Sequence, residues 1–181
     1  MTYSPPVTGI PDPVVLSTMT VENMGMVDSQ GGNGASSAWP IAAKAYFVPV
    51  RLSQPRTYVK AWWINGATAA GNVDVGIYTL SGTTLTRVVA STAEAQGTIS
   101  TVQVAATFAT TTIGPGLYYL AMSCSLATAT VWRVSLSAPF MRGLGVFQAV
   151  SSHPLPTTAT AAVISGTTTL PVFGFSEQAV I

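Results

Sequence analysis

Charge is the scarcest thing in this sequence. Charged residues make up 7% of the 181 positions, against roughly 25% in an ordinary soluble domain. Seven Lys and Arg stand against six Asp and Glu. No basic cluster can neutralise a row of phosphates or hold an anionic membrane surface, so neither nucleic acid nor membrane is expected as a partner. The single cysteine, Cys124, excludes an intrachain disulfide. It reads as a small core hydrophobe. One histidine, His153, leaves little material for metal or triad chemistry. No apolar run is long enough for a membrane span. MTYSPPVTGIPDPVV has no basic region followed by an apolar stretch, so synthesis in a host cytoplasm without a secretory signal is expected.

What is abundant is apolar and β-branched. Hydrophobic residues reach 48%, enough for a sizeable core. Threonine and serine supply most of the polar surface, and a β-branched hydroxyl residue suits the solvent face of a strand. With so few charges, the surface is either covered by neighbours or belongs to a neutral protein working outside a cell.

The clearest periodicity lies in Tyr58–Tyr78, YVKAWWINGATAAGNVDVGIY. Val73, Val75 and Ile77 alternate with Asn72, Asp74, Gly76 and Tyr78, which puts the branched residues on one face and the polar ones on the other. Asn65-Gly66 and Gly71-Asn72 read as turn chemistry joining two strands. Strand patterns also cover Ala42–Leu52, Leu85–Val89, Val102–Val104, Leu117–Cys124, the stretch around Trp132 and the tail end. Ser81-Gly82 marks a tight hairpin, and Gly114–Gly116 a turn. Pro49 and Pro171 suggest edges or bulges. No helical period stands out. The expected fold is an all-β, jelly-roll-like antiparallel β-sandwich of about 8–10 strands, with a closed barrel as second choice.

Residues 1–38 read as an extended N-terminal arm ahead of a sandwich over 39–181, with a disordered tail as the alternative. Pro5, Pro6, Pro11 and Pro13 block regular structure there. Val14, Val15, Leu16, Met19, Met24 and Met26 are candidate contacts to a neighbouring subunit.

Aromatics are the stronger surface signal. Adjacent Trp62 and Trp63 point to opposite faces of a strand, so one is expected to be exposed or at an interface. Trp62, Trp63 and Trp39, with Asn72 and Asp74 beside them, are candidates for glycan stacking or protein contact. The alternatives are core packing for the tryptophans and a solvated or turn-capping role for Asp74. His153 with Ser151 or Ser152 lacks a supporting motif for hydrolysis. Asp74 with Glu94 is the available carboxylate pair for glycoside cleavage, with nothing in the spacing to recommend it. Neither a metal nor a cofactor is expected.

Three blocks, FVPVRLSQP, VKAWWINGATAAGNVDVGIYTLSGTTL and IGPGLYYLAMSCS, spanning about residues 46–134, resemble a β-sandwich family of structural proteins in tailed bacteriophages and prophages. The resemblance implies a virion protein: capsid decoration (cement), head-fibre or tail-associated. It implies assembly on a particle with the major capsid protein or other virion proteins, and it carries over no catalytic residue. The expected function is a decoration protein forming a homotrimer or similar symmetric cluster. The alternative is a tail- or fibre-associated module that binds a host surface glycan.

Overall fold

The computed structural model describes residues 15–16, 35–166 and 169–177. In chain order its strands are β1 (Val15–Leu16), β2 (Ala35–Ala38), β3 (Ala45–Leu52), β4 (Arg56–Tyr58), β5 (Lys60–Ile64), β6 (Asn72–Ser81), β7 (Thr84–Ala90), β8 (Glu94–Ala95), β9 (Val102–Val104), β10 (Thr111–Ile113), β11 (Gly116–Cys124) and β12 (Thr130–Ser135). A short helix, α1 (Ala138–Gly143), follows. Then come β13 (Phe147–Ala149), β14 (Thr158–Thr160), β15 (Ala162–Val163), β16 (Thr169–Pro171) and β17 (Phe173–Ser176). The fold is all-β and sandwich-like, and the strand pairings between described residues are antiparallel. The seventeen described strand segments exceed the expected 8–10 because many are only two to four residues long, too short to leave a periodic trace.

One layer is an eight-stranded sheet in the order β14-β7-β6-β11-β3-β13-β15, with β8 also on β6. Facing it are the sheets β1-β17-β5-β9 and β16-β12-β2 and the pair β10-β4. The core between them follows from strand alternation. Met122 pairs with Tyr46 on one side and Val75 on the other, and Leu120 pairs with Val48 and Ile77. These rows meet Ala61, Trp63, Phe173, Phe175, Val131 and Val134 from the facing strands. Each large side chain so buried contributes about 1.5–3 kcal/mol. Cys124 sits in this cluster, fully buried, as its sequence context suggests.

The eight-stranded sheet is rolled. Its terminal strands β14 and β15 are separated by Ala161 alone. Across a flat sheet of this order they would lie about 29 Å apart, yet Thr160 and Ala162 are at most about 7 Å apart along the chain. One short segment therefore joins both edges, pairing with β7 through Thr158–Thr160 and with β13 through Ala162–Val163.

Several expectations need correction. The Tyr58–Tyr78 stretch is not a hairpin: β5 pairs with β17 and β9, while β6 pairs with β11, β7 and β8. The Asn65–Gly71 connection crosses from one layer to the other. Gly66 is needed for close approach, since a Cβ there would lie 2.5 Å from both Ser36 Oγ and Thr130 Oγ1. Pro49 is not on an edge strand: β3 lies between β11 and β13, but β13 pairs only with Ala45–Phe47 and stops short of the proline. Pro171 does lie on an edge strand, β16. The hairpin at Gly82 is present, with Ser81 paired to Thr84 and Gly82 at φ +58°. Helix α1 was not expected. Ser137 caps it, accepting from the Phe140 N–H at 3.3 Å, and Pro139 lies in its first turn.

The sandwich begins before residue 39, because β2 pairs with β12 from Ala35 to Ala38. Of the arm residues, Val14, Met19, Met24 and Met26 lie outside the described residues. Val15 and Leu16 pair through their backbone with Phe175 and Gly174 of their own chain.

Candidate functional site

The face of β6 that carries Asp74 was expected to be solvated. It is buried. Asp74, Gly76 and Tyr78 alternate with Val73, Val75 and Ile77; Gly76 is buried and the other five are at most 1% exposed. The reason is a second apolar cluster on this face: Ala45, Phe47, Tyr78, Leu85, Tyr119, Ala121, Ala149 and Leu155. Phe47 and Tyr78 meet edge-to-face at 5.1 Å. Residues 150–157, running from β13 to β14, form a strap across it.

The strap is tied by hydrogen bonds from residues far away in sequence. The Leu155 N–H donates to Asp74 Oδ2 at 2.8 Å. The Tyr78 hydroxyl donates to Pro156 O at 2.5 Å, and Arg87 Nη1 donates to Leu155 O at 2.7 Å. Ser152 N–H donates to Ala43 O at 2.6 Å. His153 Nδ1 lies 3.0 Å from Ser123 Oγ. Gly76 leaves room for the strap: a Cβ there would lie 3.2 Å from Leu155 Cδ1 and 2.9 Å from Val89 O.

The environment of Asp74 perturbs its carboxylate. Desolvation raises its pKa to about 6, against the opposing hydrogen bonds from Leu155 N–H and Ser91 Oγ and the field of Arg87. Burial pushes His153 the other way, favouring neutral imidazole. Asp74, Ser123 and His153 thus come together: Ser123 is the cross-strand partner of Asp74 and touches His153. A hydrolytic triad would need the carboxylate on the imidazole and a reachable hydroxyl. Here the hydrogen bonds of Asp74 come from Leu155 and Ser91, and Ser123 is 0% exposed. The arrangement holds a strap in place. The other carboxylate, Glu94, is opposite Val73 and so projects from the other face than Asp74. It accepts from the N–H groups of Ala106 and Thr107 and from Thr107 Oγ1.

Neither adjacent tryptophan is exposed. Trp63 is 0% and Trp62 7% exposed, because both faces of β5 are covered. Trp39 is 2% exposed, and its indole N–H donates to Lys44 O at 3.0 Å. Of the tryptophans, only Trp132 is half-buried. Asn72 is exposed, as expected.

The residue that the sequence concealed is Asn65. It reads there as a turn residue, yet it is fully buried. Its Oδ1 accepts from Trp63 Nε1 at 2.8 Å and from Gln96 Nε2 at 3.2 Å. Its Nδ2 donates to Thr98 O and Gln103 Oε1. The adjacency of Trp63 and Asn65 on one strand face was the available signal. Among the described residues no His/Cys/Asp/Glu group could hold a metal ion.

Compared with protein-family models, curated proteins and solved structures, the chain matches none.

Proposed function

We propose that this chain is a structural protein of a tailed-phage virion, a decoration (cement) protein that stabilises the shell through symmetric non-covalent contacts. One observation carries the reading. Among the described residues, Asp74, Ser123, His153 and Glu94 are engaged in hydrogen bonds that hold the fold, while the surface exposes large apolar side chains, among them Ile41, Ile99, Leu117, Val150 and Val163. Such side chains scattered singly are ordinary; on a surface with so little charge to keep copies apart they favour contact with other chains. Burial of apolar area across a junction supplies about 25 cal/mol per Å² before the cost of association. Repetition over a shell multiplies a modest contact.

The glycan-binding alternative needs an exposed ring from Trp39, Trp62 or Trp63. All three are buried, so the decoration reading is the one retained. It is tested by adding the purified chain to shells assembled without it. Saturable binding that raises the temperature of shell disruption supports decoration. Absence of binding, or binding confined to isolated tails, overturns it.

A further inference from the structure

Asn65 and Gly66 carry a latent chemistry that the hub does not use. Asparagine is a thermolabile residue, most of all before glycine, which has no side chain to shield its backbone nitrogen. In a free chain that nitrogen, once deprotonated, attacks the asparagine Cγ. The N–Cγ bond forms, the Cγ–Nδ2 bond breaks and ammonia leaves. Water then opens the cyclic imide to aspartate or isoaspartate.

The folded chain engages both reacting groups. The Gly66 N–H donates to Thr130 O at 2.9 Å, and the Asn65 N–H donates to Thr101 O at 2.9 Å. The carboxamide is 0% exposed and held by bonds to Trp63, Gln96, Thr98 and Gln103. Deprotonating the Gly66 nitrogen and turning the carboxamide toward it would break these contacts.

The hub also discriminates against the product. Asn65 Nδ2 donates to two acceptors, Thr98 O at 3.1 Å and Gln103 Oε1 at 2.8 Å. A carboxylate oxygen in that place has no hydrogen to give. Gln103 cannot turn its amide without further loss, because Oε1 also accepts from the Gly97 N–H and Nε2 donates to Ala95 O, both at 2.8 Å. Burying a charge against acceptors is costly. An isoaspartate would in addition lengthen the backbone at the tightest approach of the layer crossing, where a Cβ on Gly66 would lie 2.8 Å from the Thr130 carbonyl carbon.

We propose that Asn65-Gly66 is a deamidation site that the fold shields before reaction and rejects after it, so that a copy left unfolded loses the ability to return. The inference stands independently of the virion reading.

The test uses the Asn33→Gln chain, which removes the other Asn-Gly pair of the sequence. It is held in mildly alkaline buffer with and without guanidinium chloride, then diluted to refold, and position 65 is read by peptide mapping. Deamidation should be at least tenfold slower in the folded chain. After dilution, unreacted chains should fold while deamidated ones from the same sample collect in the unfolded fraction. Asn65→Asp, made directly, should share that defect. Equal rates in the two states, deamidated chains recovered among the folded ones in proportion to their abundance, or native stability in Asn65→Asp overturns the proposal.

Discussion

The strands β3, β6 and β11 have two faces that are buried in different ways. Toward the facing sheets they present Tyr46, Val48, Val75, Ile77, Leu120 and Met122, a continuous apolar surface. Toward the strap they present Phe47 and Tyr78 but also Asp74 and Ser123, all almost fully buried. The first face is held by area. The second combines area with a set of directed hydrogen bonds that fix where the strap lies. Apolar burial gives stability without direction, whereas buried polar groups demand particular partners. The difference predicts that damage to the first face lowers global stability, while damage to the second loosens residues 150–157 first.

The largest effect is expected in the core between the layers. Trp63→Ala should cost about 3–5 kcal/mol in urea unfolding, because it leaves a large void and removes the donor to Asn65. On the strap face, Gly76→Val should cost about 1–3 kcal/mol, since the added Cβ meets the Val89 carbonyl as well as Leu155. Protease cleavage within 150–157 should accelerate more than global unfolding does. Asp74→Ala should cost about 1–3 kcal/mol by orphaning the Leu155 N–H, with faster hydrogen exchange at that amide. Equal exchange at Leu155 in Asp74→Ala and the native chain would erase the distinction between the two faces.

A smaller effect concerns pH. The Asp74 pKa is raised in the folded chain to about 6, above its unfolded value of about 3.9. The folded state therefore holds more protons in that window, and this residue's contribution falls as pH rises from about 4 to 6. His153 is shifted downward, so its contribution is lost as pH falls below about 6.5. The two slopes oppose each other. Asp74→Asn should remove one of them, leaving a chain whose stability declines on acidification more steeply than that of the native protein. Thermal melts from pH 7 to pH 4 check this. An unchanged profile would contradict the account of the buried carboxylate.

Much of the fold was legible because it rests on alternation. Val73, Val75 and Ile77 announce the inner face of β6, and Ser81-Gly82 announces the hairpin. What alternation cannot show is whether the second face is covered, since that depends on a strap some eighty residues away. Asp74 therefore looked solvated, and Trp62 and Trp63 could not both be assigned to the interior. Asn65-Gly66 misled for a related reason. The pair has the chemistry of a turn, but its surroundings turn it into a layer crossing with a buried amide hub.

The central claim is that this neutral, apolar-studded sandwich is made to be covered by other chains of a particle. The most direct measurement is its copy number per purified virion, by quantitative mass spectrometry against the major shell subunit. The account predicts a number commensurate with the symmetry sites of the shell. Absence from the particle, or a few copies confined to one vertex or the tail, would contradict it.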